Sequence, residues 1–578
     1  MTFTPRVGVY ICHCGINIAA TVNVGAVTEF AAHLPGVVIS RDYTYMCSDP
    51  GQDLIKQDIA KMDLNRVVVA SCTPRMHEPT FRAAIAEAGL NPYCFEMANI
   101  REQCSWVHIN DTSTTIKAME LVASAVAKAT LLQPLEERQA SVTPAALIIG
   151  GGIAGMQAAL DIAEAGFAVT LVERAPQLGG HAAQLHQTYP TLEPVAELVD
   201  SIIERVNSHP RLTVLTETEV VKVDGYVGNF RVQVQRGDEM NEIPVGVIVV
   251  ATGFEVFDAR RKPEFGYGAY PEVITTLDFE QLINLQSLSL DLKSVVFIQC
   301  VGSRDQSIGN PYCSRVCCMV TAKQAHLICE RLPQAQVNVF YMDVRAFGKG
   351  FEEFYDSVRE EGVIYRRGNP AEIIRRNGRV VVLAEDTLLG KLVEVEADLV
   401  VLAVGMTPRT DSNAIARLLK LSRSVDNFFM EAHPKLRPVD TAMAGVFLAG
   451  CCQGPKDISE SITQARAAAS AALIPLMKGQ IQVEAATAFI EQDLCAGCGQ
   501  CAEVCTFAAL ALHPVHGVMT VNPVLCRGCG ACATACPSGA INIHHFTFEQ
   551  FFAQIEVISN ERGQSAPVPE IEPDAVTA

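Results

Sequence analysis

Short β-branched apolar runs alternate along the chain with amphipathic, Ala-rich stretches, the period-two and period-3.6 signals of an α/β protein. "RVGVYIC" and "NRVVVASC" read as strands, and each ends in a cysteine where a loop should begin. A helical run from Ile116 to Leu131 follows, and the polar, Pro-bounded "QPLEERQASVTP" marks a linker, so residues 1–135 are expected to form a small α/β domain that contains cysteines. From Ala145 the pattern becomes apolar strand, glycine turn, amphipathic helix and second strand ending in an acid, "AALIIGGGIAGMQAALDIAEAGFAVTLVER". "SVVFIQC", residues 294–300, opens a further strand. Asn310 and Pro311 then supply an N-cap and a first helical residue for a helix running to about Arg331. Beyond Ser559 the Pro-, Glu- and Ala-rich residues 559–578 read as a flexible tail.

Composition narrows the class. A chain of 578 residues has room for about three or four domains with proper cores. Its longest apolar stretch, "AALIIGGGIAGMQAAL", is Gly-interrupted and followed by Asp161, short of the roughly 20 apolar residues a membrane span needs. Met1 to Val9 shows no basic region followed by a hydrophobic core, so a cytoplasmic protein is expected. With a formal net charge of −19 and no basic stripe interleaved with aromatics, nucleic acid is not an expected partner. The 21 cysteines then point to metal or redox chemistry rather than to a disulfide scaffold.

Gly150, Gly152 and Gly155 satisfy G-x-G-x-x-G between strand and helix, and Glu173 ends the second strand, where a carboxylate holds a ribose. Such glycines let a pyrophosphate approach the backbone, and the helix start at Ile153 and Ala154 offers it N–H groups and a positive dipole. Arg174, Gly180 and His181 follow in "ERAPQLGGHAAQ", Ala251, Thr252 and Gly253 in "VIVVATGFE", and Gly450, Cys451, Cys452, Gln453 and Ile458 in "AGVFLAGCCQGPKDISESI". In this order, over residues 145–475, the motifs resemble the two-dinucleotide-fold flavoproteins of the thioredoxin reductase and glutamate synthase small-subunit type. The resemblance implies FAD held by the residues just named. It places an FAD-binding domain at residues 145–290 and 395–480 and a second dinucleotide-like domain at 291–394. Two departures stand out. Cys451 occupies the position that usually carries the ribityl-binding Asp, and the second fold has "CVGSRD" where a glycine-rich turn should take NAD(P)H.

Cysteines fill that place. Cys300 lies at the end of its strand, Cys313 in the first turn of the expected helix, and Cys317 one turn further with Cys318 beside it. All four fall on the edge where an open α/β sheet binds ligands. The N–H groups and dipole of the helix start are expected to lower their pKa values and favour iron-bound thiolates. The group reads as an irregular iron–sulfur site close to the flavin, with buried structural cysteine as the alternative. "CAGCGQCAEVC" and "CRGCGACATACP", within a domain at residues 486–548, fit the bacterial ferredoxin rule C-x2-C-x2-C-x3-C, in which the fourth cysteine serves the other cluster. Cys495, Cys498, Cys501 and Cys536 are thus expected to hold one 4Fe-4S cluster, and Cys526, Cys529, Cys532 and Cys505 the second. A zinc ribbon is the alternative. Cys14, Cys47, Cys72 and Cys104 are candidates for a further cluster, with Cys12 as alternative ligand, Cys94 as packing, and His13 and His77 as local hydrogen-bonding residues; simple core thiols compete with this reading.

"ICHCGIN", "CSDPGQ", "SCTPRMHEPTF", "EMANIREQCSWV", "CVGSRD" with "YCSRVCC", and "GCCQGPKDISESI" together resemble the flavin-bearing A-type component of heterodisulfide reductase over nearly the whole chain. The resemblance implies a two-dinucleotide-fold oxidoreductase with FAD and 4Fe-4S clusters, an N-terminal α/β domain and a C-terminal ferredoxin domain, working in a multi-subunit complex. It implies electron bifurcation, or the reverse, between a hydrogenase, formate dehydrogenase or NADH-oxidising module, ferredoxin, and disulfide-reducing subunits of the B and C type. Some members insert an extra ferredoxin module that this chain lacks, so one electron route is missing or is supplied by a partner. The resemblance also brings Lys323, in "CCMVTAKQAHL", to the flavin's reactive edge, against the alternative of a solvated helix face. Lys323 and Asn310 are the candidate catalytic residues. Two other functions stay open: an NAD(P)H-dependent flavin oxidoreductase of glutamate synthase small-subunit type, which the absent second glycine fingerprint disfavours, and a structural electron-wire component with a redox-passive FAD.

Overall fold

The computed structural model describes residues 4–563 and divides into two compact units, Met1–Gln139 with Gln482–Ala578, and Ala140–Ile481. The division falls inside the expected linker, which itself carries a short strand, Arg138–Ser141.

In the first unit, Val7–Cys12 and Arg66–Ser71 form the centre of a four-stranded parallel sheet flanked by Val37–Tyr43 and Phe95–Asn99. Helices cover both faces, so the two central strands are buried throughout and read as continuous apolar runs rather than as alternation. Val7, Val9 and Ile11 enter a core shared with helices Val24–Ala32 and Thr112–Thr130. Tyr10 and Cys12 enter the opposite one, shared with Asp49–Met62 and Pro74–Glu87.

The C-terminal part of this unit consists of two short antiparallel pairs, Ala488–Ile490 with Ile541–Ile543 and Leu510–Leu512 with Met519–Val521. Two one-turn helices, Gln500–Glu503 and Ala531–Thr534, pack on each other. Elements this small enclose little apolar volume, and cysteines, Cys501, Cys526 and Cys532 among them, make up much of the interior. Helix Phe548–Gly563 then packs on Thr112–Thr130, where Gln554 Nε2 donates to Ser124 Oγ (3.2 Å) and Gln550 Nε2 to the Leu131 carbonyl (3.3 Å). Beside them Lys128 Nζ meets Glu96 Oε2 at 2.7 Å, and His545 Nε2 lies 3.4 Å from the same oxygen. Burial opposes ionisation of Glu96, but His545 and Lys128 hold its carboxyl below the usual range. Residues 559–563, expected to begin a flexible tail, continue this helix, and the rest of that tail lies outside the described residues.

Ala140–Ile481 repeats one architecture. The first five-stranded parallel sheet runs Val446–Leu448, Val247–Val250, Ala145–Ile149, Ala168–Val172, Leu212–Leu215. The second runs Val273–Thr275, Leu399–Val404, Ser294–Val301, Gln336–Tyr341, Ile364–Arg367. In each the first long strand is central, two more follow outward on one side, and the strand after a three-stranded antiparallel meander returns to the other side. The second domain therefore exceeds the expected 291–394 at both ends, because Val273–Thr275 and Leu399–Val404 belong to its sheet. Three residues are too few for periodicity to reveal the first of these strands. Among the described residues no helix is long and apolar enough to cross a membrane.

Candidate functional site

A cleft of about 1220 Å³ opens in the second unit, larger than the roughly 300–1,000 Å³ of ordinary small-molecule sites and roomy enough for a dinucleotide. Its floor is the turn after Ala145–Ile149, where each glycine answers a different need. Gly150 has φ +114°, and a Cβ there would lie 2.3 Å from the Ala251 carbonyl; a Cβ on Gly155 would lie 1.8 Å from the Gly150 carbonyl. Gly152 is unlike both, since its Cβ would meet nothing within 4 Å and would project into the cleft. Gly152 is also the N-cap of helix Ile153–Glu164, and no side chain caps the first N–H groups, which leaves them for an anion. Glu173 is locked at the neighbouring strand end, with Oε2 accepting from Gly151 N (2.6 Å) and Oε1 from Ala175 N (2.7 Å).

Of the residues expected to hold a dinucleotide, Gly150, Gly152, Ile153, Ala154, Glu173, Arg174, Gly180, His181, Ala251, Thr252, Gly253, Cys451 and Ile458 line this cleft. Gly155, Gly450, Cys452 and Gln453 do not. Gly155 and Gly450 permit close packing behind it, a Cβ on Gly450 lying 2.7 Å from Ala154 Cβ. The Cys452 thiol donates to the Val250 carbonyl (3.1 Å) within the core, and Gln453 braces Glu431, Lys456 and Gln464. Cys451 faces the cleft where an Asp is usual, its thiol donating to the Lys456 carbonyl (3.3 Å). His181 Nε2 donates to the Phe254 carbonyl (3.1 Å), which leaves Nδ1 as an acceptor, buried and unpartnered; burial pulls the imidazole pKa down and keeps the ring neutral. Gln187, another lining residue, also buries an unpartnered oxygen. These orphaned acceptors and the uncapped helix start suit a ligand that brings hydroxyl groups and a pyrophosphate, as FAD does.

Lys323 lies in the cleft wall at 1% exposure, which rules out the solvated-face alternative. Its ammonium meets Glu280 Oε1 at 2.8 Å and donates to the Gln187 carbonyl at 2.9 Å. Burial lowers the Lys323 pKa and Glu280 opposes that shift. Asn310, by contrast, does not line the cleft and caps no helix. It closes a tight turn by exchanging backbone hydrogen bonds with Asp305, and its Nδ2 donates to the Gly302 carbonyl (3.1 Å). The helix begins only at Cys317, with Val316 as N-cap. Cys313 therefore sits in the preceding loop rather than in a first helical turn.

The structure nonetheless brings Cys300, Cys313, Cys317 and Cys318 together. Burial first, then Cys300, Cys318 and Cys313 in turn, raise the pKa of Cys317 well above the ordinary thiol value. Cys300, in a positive-φ bulge at the strand end (φ +61°), is pushed up to about 12, chiefly by burial. The expected lowering by the helix dipole is overturned here, because desolvation outweighs a partial charge at a helix end. Two backbone N–H groups already point at sulfur, Arg315 N at Cys313 (3.3 Å) and Arg345 N at Cys318 (3.4 Å). On the same helix Val316, Val320 and Lys323, at helical spacing, face the cleft. The cleft and the cysteine group thus share one wall.

In the C-terminal part Cys505, Cys526, Cys529 and Cys532, drawn from both four-cysteine runs, line a single small cavity with Ala509, Leu510 and Ile543. Ala509 N donates to Cys505 Sγ and Ala488 N to Cys526 Sγ, each at 3.3 Å. Cysteines from both runs at one cavity, with N–H groups aimed at sulfur, match the arrangement in which the fourth cysteine of each run serves the other cluster of a two-cluster ferredoxin. In the other set, burial raises the Cys501 pKa with Cys495 and Cys498 contributing, Met519 N donates to Cys495 Sγ (3.4 Å), and Cys536 sits beside Ser538 (3.6 Å).

At the N-terminal sheet edge Cys14, Cys47 and Cys72 gather around Arg101, whose Nη1 donates to Cys14 Sγ (3.1 Å), and buried Cys12 lies beside Cys14 and Cys47. Cys104 is not among them. Its thiol donates to the Thr114 carbonyl (3.3 Å) under helix Thr112–Thr130, because the turn at Arg101–Ser105 sends Arg101 one way and Cys104 into the core. His13 pairs with Asp42 (2.7 Å) and His77 approaches Thr80 (3.4 Å). Among the described residues no three His, Cys, Asp or Glu side chains converge as they would on a single metal ion.

Residues 144–472 match the family described as pyridine nucleotide-disulphide oxidoreductase, and residues 480–540 match the 4Fe-4S dicluster domain. Among curated proteins, one of the iron-sulfur A-type components of CoB--CoM heterodisulfide reductase in Methanopyrus kandleri is 47% identical over 645 aligned positions, covering 96% of this chain and 98% of its own. The chain belongs to the family of heterodisulfide reductase A-type components. A second member, the A-type component of H(2):CoB-CoM heterodisulfide,ferredoxin reductase in Methanothermobacter thermautotrophicus, is 44% identical with 97% and 98% of the two chains covered. Both alignments are longer than the 578 residues here, so these family members carry stretches with no counterpart in this chain. Among solved structures, thioredoxin reductase of T. acidophilum aligns at 17% identity with a TM-score of 0.40, over 57% of this chain and 98% of that one.

Membership of this heterodisulfide reductase family, with the two matched domains, carries with it FAD and 4Fe-4S clusters in an oxidoreductase of pyridine nucleotide-disulphide oxidoreductase fold. Sequence reasoning missed two residues of this family member's site. Glu280 hides in "TLDFEQLIN", a capped amphipathic helix in which nothing separates a buried acid from a solvated one. Arg101, in "ANIREQC", carries only the weak signal of a basic residue just past a strand that ends beside cysteines.

Proposed function

We propose that this chain is the electron-dividing component of a heterodisulfide reductase-type complex. It takes electron pairs from a hydrogenase, formate dehydrogenase or NADH-oxidising module and delivers them to ferredoxin and to a disulfide-reducing partner of the B and C type. Two donor pairs balance one cycle: two electrons reduce ferredoxin, and two more with two protons cleave a disulfide to two thiols. A relative from Methanococcus maripaludis supports this direction by its name, which assigns it to an H(2)/formate:CoB-CoM heterodisulfide,ferredoxin reductase. FAD, when bound, supplies exchange of one or two electrons, and a 4Fe-4S cluster exchange of one.

The chain's own residues provide the setting. Gly152 and the uncapped helix start receive a pyrophosphate, Glu173 a ribose, and neutral His181 accepts a hydroxyl. Lys323 and Glu280 hold a charge pair in the cleft wall. Cys300, Cys313, Cys317 and Cys318 form one ligand set, the two crossed ferredoxin sets form two more, and Cys12, Cys14, Cys47 and Cys72 are a further candidate. The observation that carries the reading is the shared wall: one helix presents Val316, Val320 and Lys323 to the cleft and Cys317 and Cys318 to the cysteine group.

The NAD(P)H-dependent alternative needs an open glycine turn in the second sheet. Gly302 stands there, but a Cβ on it would lie 2.1 Å from the Phe257 ring, so an aromatic side chain covers the position a pyrophosphate would use. NAD(P)H alone is therefore expected to leave the flavin of the purified chain oxidised in stopped-flow mixing, whereas a donor module reduces it. Rapid reduction by NAD(P)H would restore the glutamate synthase-like reading, and a flavin that no partner can reduce would leave only an electron wire. Iron content provides a separate check. The ligand sets require about three 4Fe-4S clusters, or about four with the N-terminal group, and Cys313→Ser is expected to remove about one cluster's iron. Iron unchanged in that variant would return Cys300, Cys313, Cys317 and Cys318 to structural cysteines.

A further inference from the structure

Along strand Ser294–Val301, Val295 and Phe297 enter the core beneath helix Cys317–Arg331, while Val296 and Ile298 enter the opposite core. A period of two puts Gln299 on the first of these faces, next in line after two large apolar side chains. It is 2% exposed. A carboxamide in such a place is costly unless its groups are paired. Its Oε1 accepts from the Cys318 thiol at 3.5 Å, and its Nε2 is buried with no hydrogen-bond partner.

We propose that Gln299 is a hydrogen-bond donor to an iron–sulfur cluster held by Cys300, Cys313, Cys317 and Cys318, and so raises that cluster's reduction potential. The proposal rests on the reading of those four cysteines as cluster ligands. A cysteine bound to iron is a thiolate with no proton to give, so Oε1 loses the donor it has beside the free thiol. Carboxamide oxygen and nitrogen have nearly the same shape, and half a turn of the amide places Nε2 against sulfur. The orphaned donor then gains its acceptor, and an acceptor no longer faces an anion. Donors to cluster sulfur favour the reduced state, which carries the extra negative charge. Gln299 directly precedes Cys300, and its strand and helix neighbours fix it there, so it acts as a positioning and tuning residue rather than as a ligand.

The test uses the full chain, purified anaerobically with its clusters, beside Gln299→Leu and Gln299→Met, which keep comparable volume and remove the donor. The relevant paramagnetic signal of the reduced protein is the one that Cys313→Ser abolishes. Both Gln299 variants are expected to keep iron and FAD, while the reduced-to-oxidised ratio of that cluster at fixed potential falls about tenfold, equivalent to 59 mV for one electron. In the unmutated chain carrying 15N only in glutamine side chains, a nitrogen coupling to the same signal is expected, and this readout needs no variant to fold. An unchanged potential with iron in place, or no glutamine coupling, overturns the role of Gln299 while leaving the cluster intact. A chain whose iron and signals are untouched by Cys313→Ser overturns the cluster reading, and this proposal with it.

Discussion

Gly152→Leu is expected to give a folded chain that has lost its FAD. Gly152 has φ −76°, a conformation open to any residue, and a side chain there meets no protein atom before it enters the cleft. The fold therefore tolerates the change, but the volume needed by a pyrophosphate is filled. A loss of affinity on the order of 100-fold, or about 2.7 kcal/mol, is expected, read as flavin absorbance per protein with the circular dichroism spectrum unchanged. Gly155→Ala makes the opposite pair of changes. Its Cβ would press on the Gly150 carbonyl, so the fold itself suffers and melting temperature falls. A Gly152→Leu protein that retained its full flavin would show that the cleft binds its ligand elsewhere.

The second large effect concerns the buried pair in the cleft wall. Lys323→Met leaves the Glu280 carboxylate in the interior without its cation, a change that costs about 3–5 kcal/mol in comparable buried pairs. Pairing Lys323→Met with Glu280→Leu should recover most of that loss, since neither charge is then stranded, and thermal melts of the two variants check this. The flavin provides an independent readout. Removing the cation disfavours an anionic reduced flavin and lowers its midpoint potential, whereas Glu280→Gln removes the opposing charge and raises it. Equal potentials in all three proteins would mean that the pair is structural and out of reach of the flavin.

How much of this was legible in the chain depended on how local the cause was. The strand-glycine-helix unit and the crossed cysteine runs are encoded within a few dozen residues each, and their elements formed where the pattern placed them. The start of the cysteine helix was not. Asn310 and Pro311 are sound local signals for a helix, but the turn that joins Asp305 to Asn310, with Asn310 also bonded to Gly302, takes those residues first. The thiol pKa values went astray for a similar reason, since a helix dipole can be read from sequence and the depth of burial cannot. Cys104 stands apart from Cys14, Cys47 and Cys72 because the turn at Arg101–Ser105 sends its side chain into the core. Glu280 and Gln299 were invisible altogether: each is a polar residue whose importance lies in what a distant segment places over it.

The first unit is assembled from the two extremes of the chain, with all of residues 140–481 lying between them. At ribosomal speeds of about 5–20 residues per second, its N-terminal sheet waits on the order of tens of seconds for the segment that will cover helix Thr112–Thr130. The face that this segment covers carries the Lys128–Glu96 pair. When helix Phe548–Gly563 and His545 arrive, the same pair becomes an internal lock. The order of synthesis therefore makes the ferredoxin segment dock only after residues 140–481 have been made. Iron loaded there before that moment would enter a segment still lacking half of its unit.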